Sequence, residues 1–137
     1  MSIPYQRTLA SNASLEGTSL HTGEKVTLKM KPAPPNHGIV FRRIDLEDMP
    51  FIPANVDNVQ QVERATTLAV GSVKVHTVEH VISALAGMEI DNALIEMDAN
   101  EPPIGDGSAA PYVRCIKEAG IVEQDELANV FEIREPI

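Results

Sequence analysis

The sequence predicts a two-layer α+β fold, in which a mixed or antiparallel sheet carries two helices on one face. Residues before position 76 contain several short runs in which apolar and polar side chains alternate, as they do in half-buried strands. After position 76 the spacing changes, and two segments with a helical period flank one further strand. A chain of 137 residues is long enough for one domain with its own hydrophobic core.

The first predicted strands lie on either side of a proline-containing turn at 31–38. Apolar residues alternate over 26–30 and a second strand follows over 38–43, so the two are predicted to form a hairpin-like pair. The polar stretch 45–63 contains two prolines and has no clear period. It is predicted to be an insertion or a long loop at the edge of the domain.

Three more strands are predicted near the middle of the chain. The segments 65–70 and 72–75 have strand composition and are separated only by Gly71, which predicts a tight hairpin. The segment 91–98 alternates apolar with polar residues, which predicts a strand between the two helices.

Two helices are predicted in the second half of the chain. In the first, Thr77 is the expected N-cap and Gly87 lies near the C-terminal end. The second is predicted over 109–119, with Ser108 as a candidate cap and Gly120 at its end. The residues expected on the core faces are Val78, Val81, Ile82, Leu85, Met88, Val113, Ile116 and Ala119.

Composition disfavours several functional classes. Twenty acidic against eleven basic residues give a formal net charge of −9, whereas a nucleic-acid surface requires clustered Lys and Arg. The basic pair Arg42 and Arg43 is expected to be a solvated strand end. No apolar run approaches the roughly 20 residues that span a bilayer, and no signal peptide is evident, so we expect a cytoplasmic protein without membrane insertion. The single cysteine, Cys115, is expected beside the core face of the second helix.

The end of the chain is predicted to lie beyond the domain. Residues 121–129 are acidic and without a period, which is typical of a linker, and 130–137 resemble the beginning of a strand. We therefore expect an N-terminal domain over 1–123, followed in 124–137 by a linker and the start of a second domain.

Residues 76–80, HTVEH, match the H-x-x-E-H pattern of a group of zinc peptidases. That chemistry requires both histidines on one helix, four residues apart. If Thr77 caps the helix, His76 lies outside it and the peptidase pattern fails. Glu79 and His80 then share the first helical turn, where a metal ligand and a general base remain possible beside the simpler reading of a helix-start glutamate and a half-buried histidine.

Two further stretches are dense in polar and turn residues. His21 lies beside Gly23 in 18–26, and Asp106 lies between two glycines in 102–111. Taken by themselves, both patterns are typical of turns, and the second is typical of a turn that leads into a helix cap.

Several longer stretches carry a family resemblance when they are taken together. They are LHTG (20–23), KPAPPNHGIVFRR (31–43), HTVEHVISALAGMEIDNALIEMD (76–98) and PPIGDGSAAPYV (102–113). In this order they closely resemble the N-terminal domain of the UDP-3-O-acyl-N-acetylglucosamine deacetylases, zinc-dependent enzymes of bacterial lipid A synthesis. The resemblance implies a sheet with two helices, like the second domain of ribosomal protein S5, and a site between the facing helix layers of two domains.

The resemblance also implies roles for individual residues. Glu79 would be the general base towards water activated by zinc, and His80 would be one of three protein ligands of that zinc. His21, with Leu20 beside it, would lie near the metal and the substrate, as would Asp106. The stretch 45–63 would be an insert near the mouth of the site, and His76 would fall at a position that the family does not restrict to histidine.

The resemblance implies an N-terminal half, because the family's two other zinc ligands lie in a second domain. We expect the complete protein to remove the N-acetyl group from a UDP-sugar in the cytoplasm, and this chain alone to be inactive. The alternative is a stand-alone, non-catalytic domain that binds a partner through its exposed helix layer. The isolated chain is a candidate homodimer for the same reason, since that layer would be uncovered. An intrachain H-x-x-E-H metalloprotease is disfavoured.

Overall fold

The computed structural model describes residues 2–61 and 63–137, and within them the fold is α+β. The class predicted from the sequence is therefore confirmed. Neither of the helices in the described segments is long and apolar enough to cross a membrane. The elements are β1 (Tyr5–Leu9), β2 (Ala13–Thr18), β3 (Lys25–Pro32), β4 (Ile39–Arg43), β5 (Phe51–Pro53), β6 (Val59–Gln61), β7 (Thr67–Val70), β8 (Val73–Val75), α1 (Glu79–Gly87), β9 (Ala93–Met97), α2 (Ala110–Ala119) and β10 (Ile121–Leu127).

The main sheet has the strand order β2-β3-β9-β4-β5, and β9 is its central strand. β9 pairs antiparallel with β3 and parallel with β4, which makes the sheet mixed. Alternate residues of β9, namely Ala93, Ile95 and Met97, are fully buried, as the predicted alternation requires. Ile95 lies opposite Met30 on one side and Phe41 on the other, and these three side chains belong to the same core.

The predicted hairpin between the strands at 26–30 and 38–43 is wrong. Both strands exist, as β3 and β4, but β9 lies between them. The turn that joins them is bound to the start of β9, because Gly38 N donates to Asn92 Oδ1 at 2.8 Å and Gly38 O accepts from Ala93 N at 3.1 Å. Alternation predicts a strand but does not identify its neighbour, so a strand from later in the chain was not foreseen.

The hairpin predicted around Gly71 is confirmed by the pairing of β7 with β8, in which Val70 lies opposite Val73. Gly71 has a φ of 60°, in the left-handed region that this two-residue turn requires. The described part of the stretch 45–63 has more regular structure than predicted, since it contains β5, β6 and a 3₁₀ turn at Val56–Asn58. Strands of three residues are too short for a period to be visible in the sequence.

Both helices contribute buried faces to one core and contact each other. α2 agrees closely with the predicted 109–119 and ends at Gly120, whose φ of 81° suits glycine. Ser108 precedes the cap residue Ala109, although its hydroxyl still accepts a hydrogen bond from Ala110 N at 3.1 Å. α1 begins at Glu79 with Val78 as its N-cap residue, one residue later than a Thr77 cap implies.

Residues 121–129 do not form the irregular linker that was predicted. β10 occupies most of this segment and pairs antiparallel with β1, with Ile121 opposite Leu9. The Gln124 side chain also donates to Ala33 O at 2.8 Å. In an edge strand with mostly solvated side chains, apolar residues do not alternate regularly with polar ones. The acidic sequence therefore suggested a linker where the structure has a strand. The strand predicted to begin within 130–137 is absent from this described segment.

The Arg42 and Arg43 pair is not a solvated strand end. The Arg43 guanidinium is buried and bidentate with the Asp45 carboxylate, at 2.8 and 2.6 Å, and it also donates to Lys74 O at 2.9 Å. These bonds hold the pKa of Asp45 below its usual value, against the effect of burial. Arg42 lies 4.6 Å above the centre of the Phe51 ring. The two arginines therefore tie β4 to its neighbours.

Cys115 is half-buried and packs against the core, as predicted. Burial raises the pKa of its thiol, so the thiolate is disfavoured. Cys115 is thus a packing residue of α2.

The central position of β9 in the sheet predicts that substitutions in this strand destabilise the fold. Replacing Ile95 by Ala removes a fully buried side chain and is expected to lower the free energy of unfolding by about 2–5 kcal/mol. The control is Val122→Ala on the edge strand, at a side chain 43% exposed, where a change within about 0.5 kcal/mol is expected. Urea denaturation followed by circular dichroism measures both, and equal losses would contradict the assigned strand order.

Candidate functional site

A pocket of about 350 Å³ opens where four segments of the chain meet. These segments are the turn after β2, the connection before β7, the stretch between β8 and α1, and the loop after β9. Its walls are polar, with imidazole, hydroxyl, carboxylate and guanidinium groups. The lining residues are His21, Thr22, Glu63, Arg64, Ala65, Thr67, His76, Thr77, Asn100 and Glu101.

Glu101 is a buried carboxylate in the wall of this pocket, with 1% of the residue exposed. Its Oε1 accepts a hydrogen bond from His21 N at 2.7 Å, and its backbone oxygen accepts from Ser19 Oγ at 2.8 Å. Its Oε2 has no hydrogen-bond partner and lies 3.4 Å from His21 Nδ1, a distance of charge contact without hydrogen-bond geometry. Glu101 therefore fastens the turn that carries His21 to the loop after β9.

Thr77 is the second contact of the His21 ring. Its Oγ1 lies 3.2 Å from His21 Nδ1, and the residue is 4% exposed. The backbone φ of Thr77 is 55°, which is strained for a β-branched residue. Such strain persists where surrounding contacts impose it, and it concentrates at functional sites. Thr77 thus links the His21 turn to the start of α1.

His76 also lines the pocket, which its sequence position did not indicate. Its Nδ1 lies 2.9 Å from Thr67 Oγ1, and its backbone N–H donates to Asn100 O at 2.8 Å. Burial lowers the pKa of the His76 imidazole, and the nearby Glu101 carboxylate opposes this effect. Because His76 precedes α1, the helical H-x-x-E-H geometry is absent, as the sequence predicted.

Glu79 and His80 are the first two residues of α1 and follow Thr77 closely, without lining the pocket. Glu79 Oε2 accepts a hydrogen bond from Thr66 N at 3.1 Å. The His80 imidazole has no hydrogen-bond partner among the residues that the structure describes. In the same residues, no group of three or more His, Cys, Asp or Glu side chains is placed to hold a metal ion.

Leu20 and Asp106 lie outside the pocket wall. Leu20 is 54% exposed and immediately precedes His21. Asp106 is exposed in the turn before α2, where its Oδ1 accepts from Ser108 N at 2.9 Å and from Ser108 Oγ at 2.7 Å. These hydrogen bonds lower the pKa of the Asp106 carboxyl. The structure brings His21 to the pocket and leaves Asp106 in its turn.

Comparison with known proteins decides the family. The model of the family described as UDP-3-O-acyl N-acetylglycosamine deacetylase matches residues 6–137. The chain belongs to this deacetylase family.

Curated relatives agree with the deacetylase family. The UDP-3-O-acyl-N-acetylglucosamine deacetylase of Saccharophagus degradans is 51% identical over 132 residues, which are 96% of this chain and 44% of the relative. The corresponding enzyme of Pseudomonas entomophila is 54% identical over 120 residues, 88% of this chain and 40% of the relative. The bifunctional enzyme LpxC/FabZ of Chlorobaculum tepidum is 50% identical over 133 residues, 97% of this chain and 28% of the relative. The chain thus spans less than half the length of these relatives.

Sequence reasoning missed Glu101, Asn100 and Thr77 as residues of this pocket. Glu101 precedes two prolines in a stretch rich in turn residues, where a glutamate is ordinarily solvated. Only the tertiary structure shows that it is buried against a turn 80 residues away in the chain. The sequence feature that could have indicated a buried Glu101 is its position before two prolines, and this signal is weak.

The half-buried environment of His76 predicts a lowered pKa for its imidazole, which can be measured by titration. Because burial lowers its pKa, we expect His76 to titrate below the ordinary value of 6.5 in a pH series of NMR spectra. The free energy of unfolding should then fall as the pH drops below 6.5, since the unfolded chain binds that proton more readily. The control is the urea-unfolded chain, and a folded value above 6.5 would mean that attraction to Glu101 outweighs burial.

Proposed function

We propose that this chain forms the N-terminal half of a zinc-dependent deacetylase that removes the N-acetyl group from UDP-3-O-acyl-N-acetylglucosamine in lipid A biosynthesis. The observation that carries the proposal is the placement of Glu79 and His80 in the first turn of α1, next to the polar pocket, in a chain of this family. A non-catalytic, stand-alone domain is not favoured, because the relatives that match nearly the whole chain carry enzyme names.

His80 fits one position of a zinc site. Its imidazole is half-buried and free of hydrogen bonds within the described segments, and imidazole is a common zinc ligand. A zinc site needs further ligands, and we assign a histidine and an aspartate to the remainder of the full-length protein. When bound, zinc polarises the substrate carbonyl and lowers the pKa of water.

Glu79 is the proposed general base. The backbone N–H of Thr66 holds Oε2 at 3.1 Å and fixes the orientation of the carboxylate, which leaves Oε1 to take a proton from the attacking water. An acidic side chain at this position also stabilises α1, because the N-terminal end of a helix dipole is positive.

The remaining candidate residues act on the substrate side. His21 lines the pocket and Leu20 extends exposed apolar surface beside it, which suits contact with the sugar and its acyl substituent. Asp106 is proposed to hold the turn before α2 through its two bonds to Ser108. The insert 45–63 would lie near the mouth of the site, consistent with Glu63 in the pocket wall.

For the architecture, we propose the two-layer arrangement of the second domain of ribosomal protein S5, with a domain over 1–123. Residues 124–137 would lead into a second domain, although β10 crosses this boundary.

The cytoplasm is the proposed location. We propose that the isolated chain is inactive and that its helix layer pairs with the second domain, or with another copy of the chain when that domain is missing.

The catalytic assignment predicts the behaviour of a chimera that joins this chain to the remaining segment of the Saccharophagus degradans relative. Glu79→Gln is expected to lower kcat for acetate release from the UDP-sugar by about 100- to 10,000-fold, because it removes the base and keeps the shape. The control is Glu118→Gln, the same change at an exposed residue of α2, with activity unchanged. An active chimera that retains full activity as the Glu79→Gln variant would exclude Glu79 as the base.

The incomplete ligand set predicts the outcome of a calorimetric zinc titration of this chain alone. Weak or no specific binding is expected, because one imidazole does not make a zinc site. Any residual binding should disappear in His80→Ala and remain in His76→Ala. One tightly bound zinc that is lost in both variants would show that the two histidines share a site, and would contradict the assignment.

A further inference from the structure

The Glu101 carboxylate is more deeply buried than any other charged group of the pocket, yet one of its oxygens has no hydrogen bond. Buried polar atoms are almost always paired, so an unpaired carboxylate oxygen needs a physical explanation. The nearest polar atom in the described contacts is His21 Nδ1, at 3.4 Å from Oε2. The protonation of the His21 ring decides whether this approach is attractive or repulsive.

A neutral imidazole carries its proton on either Nδ1 or Nε2. If Nδ1 were bare, its lone pair would lie beside the negative Oε2 of Glu101, in a buried place where water screens the repulsion poorly. If Nδ1 carries the proton, the N–H donates to Thr77 Oγ1 at 3.2 Å and turns its positive end towards the carboxylate. The second arrangement pairs Nδ1 with Thr77 Oγ1 and replaces a repulsion at Oε2 by an attraction.

We propose that Glu101 is a positioning residue that holds His21 in the Nδ1-protonated tautomer, so that Nε2 is presented to the ligand as a hydrogen-bond acceptor. Glu101 does so through two atoms. Oε1 fixes the backbone of His21 at 2.7 Å, and Oε2 sets the proton on its ring. Thr77 accepts that ring proton and sets the rotation of the imidazole.

The accepting Nε2 defines the chemistry that the pocket recognises. The His21 side chain is 48% exposed, and Nε2 has no hydrogen-bond partner in the part of the chain that the structure describes. An exposed acceptor in the pocket wall matches a ligand group that donates, such as a hydroxyl or an amide N–H, better than a phosphate oxygen.

The inference deepens the proposed role of His21 in substrate binding, but the tautomer itself rests only on contacts within this chain. The tautomer is measured on the nitrogens of the His21 ring, and the measurement does not require enzymatic turnover. A failure of the deacetylase proposal would leave the tautomer unchanged, and a wrong tautomer would leave the roles of Glu79 and His80 intact. The two results are therefore distinguishable.

The experiment is a long-range ¹H–¹⁵N correlation spectrum of the ¹⁵N-labelled chain, recorded at a pH where the imidazoles are neutral. The chain has four histidines, and His21→Gln assigns the His21 signals. In the unmodified chain we expect protonated Nδ1 and bare Nε2. Glu101→Gln is expected to reverse this, because its amide can keep the acceptor towards His21 N while placing an N–H₂ donor opposite Nδ1.

Two controls separate the carboxylate from other effects. Glu24→Gln changes the same charge on an exposed residue of the same turn and is expected to leave the tautomer unaltered. Thr77→Ala removes the hydroxyl, keeps Glu101, and is expected to retain protonated Nδ1. The proposal is overturned by protonated Nε2 in the unmodified chain, by an unchanged tautomer in a folded Glu101→Gln variant, or by reversal in Thr77→Ala. If Glu101→Gln does not fold, the unmodified chain and Thr77→Ala still decide between these outcomes.

Discussion

The pairing of β9 with both β3 and β4 is the constraint on which the rest of the structure depends. The strand is buried along one face, and each of its ends leads directly to a polar cluster. At its beginning, the Asn92 side chain accepts a hydrogen bond from Gly38 N and donates to Gln6 Oε1 and Gln124 Oε1. These bonds connect β9 to the turn before β4 and to the separate two-stranded sheet of β1 and β10. At its end, the chain enters the loop that carries Asn100 and Glu101. The sheet therefore delivers the buried carboxylate to the pocket from a fixed position.

The candidate site is assembled by contacts between loops, and main-chain atoms make many of them. His76 N donates to Asn100 O, Ser19 Oγ donates to Glu101 O, and Glu101 Oε1 accepts from the backbone of His21. The strained backbone of Thr77 completes this arrangement immediately before α1. A rigid junction of this kind orients the first turn of the helix, where Glu79 and His80 lie. The same junction explains why a polar pocket can exist beside an otherwise apolar core.

The sequence predicted the elements whose period is long enough to read, and it failed where the outcome depends on tertiary partners. α2 and β9 span many residues with regular apolar spacing, and both were found within about two residues of their bounds. The neighbour of β3 and the identity of β10 as a strand depend on pairing across the chain, which local spacing does not encode.

The same division holds for the candidate site. Glu79 and His80 belong to a short motif that is recognisable in the sequence, and the family resemblance predicts their roles. Glu101 has no motif of its own, because its burial arises only when the turn after β2 folds over the loop after β9. Thr77 was expected to be a helix cap, and its left-handed backbone follows from contacts that no local pattern records.

The anchors of the two key carboxylates have a consequence for how this protein tolerates change. Glu79 is held by the backbone N–H of residue 66, and Glu101 by the backbone N–H of residue 21. Nearly every amino acid carries that donor, so the side chains at both anchoring positions can be exchanged without releasing the carboxylates. Proline is the exception, because it has no N–H. The anchoring of both carboxylates is thus insulated from side-chain variation at 66 and 21, provided that neither residue becomes proline.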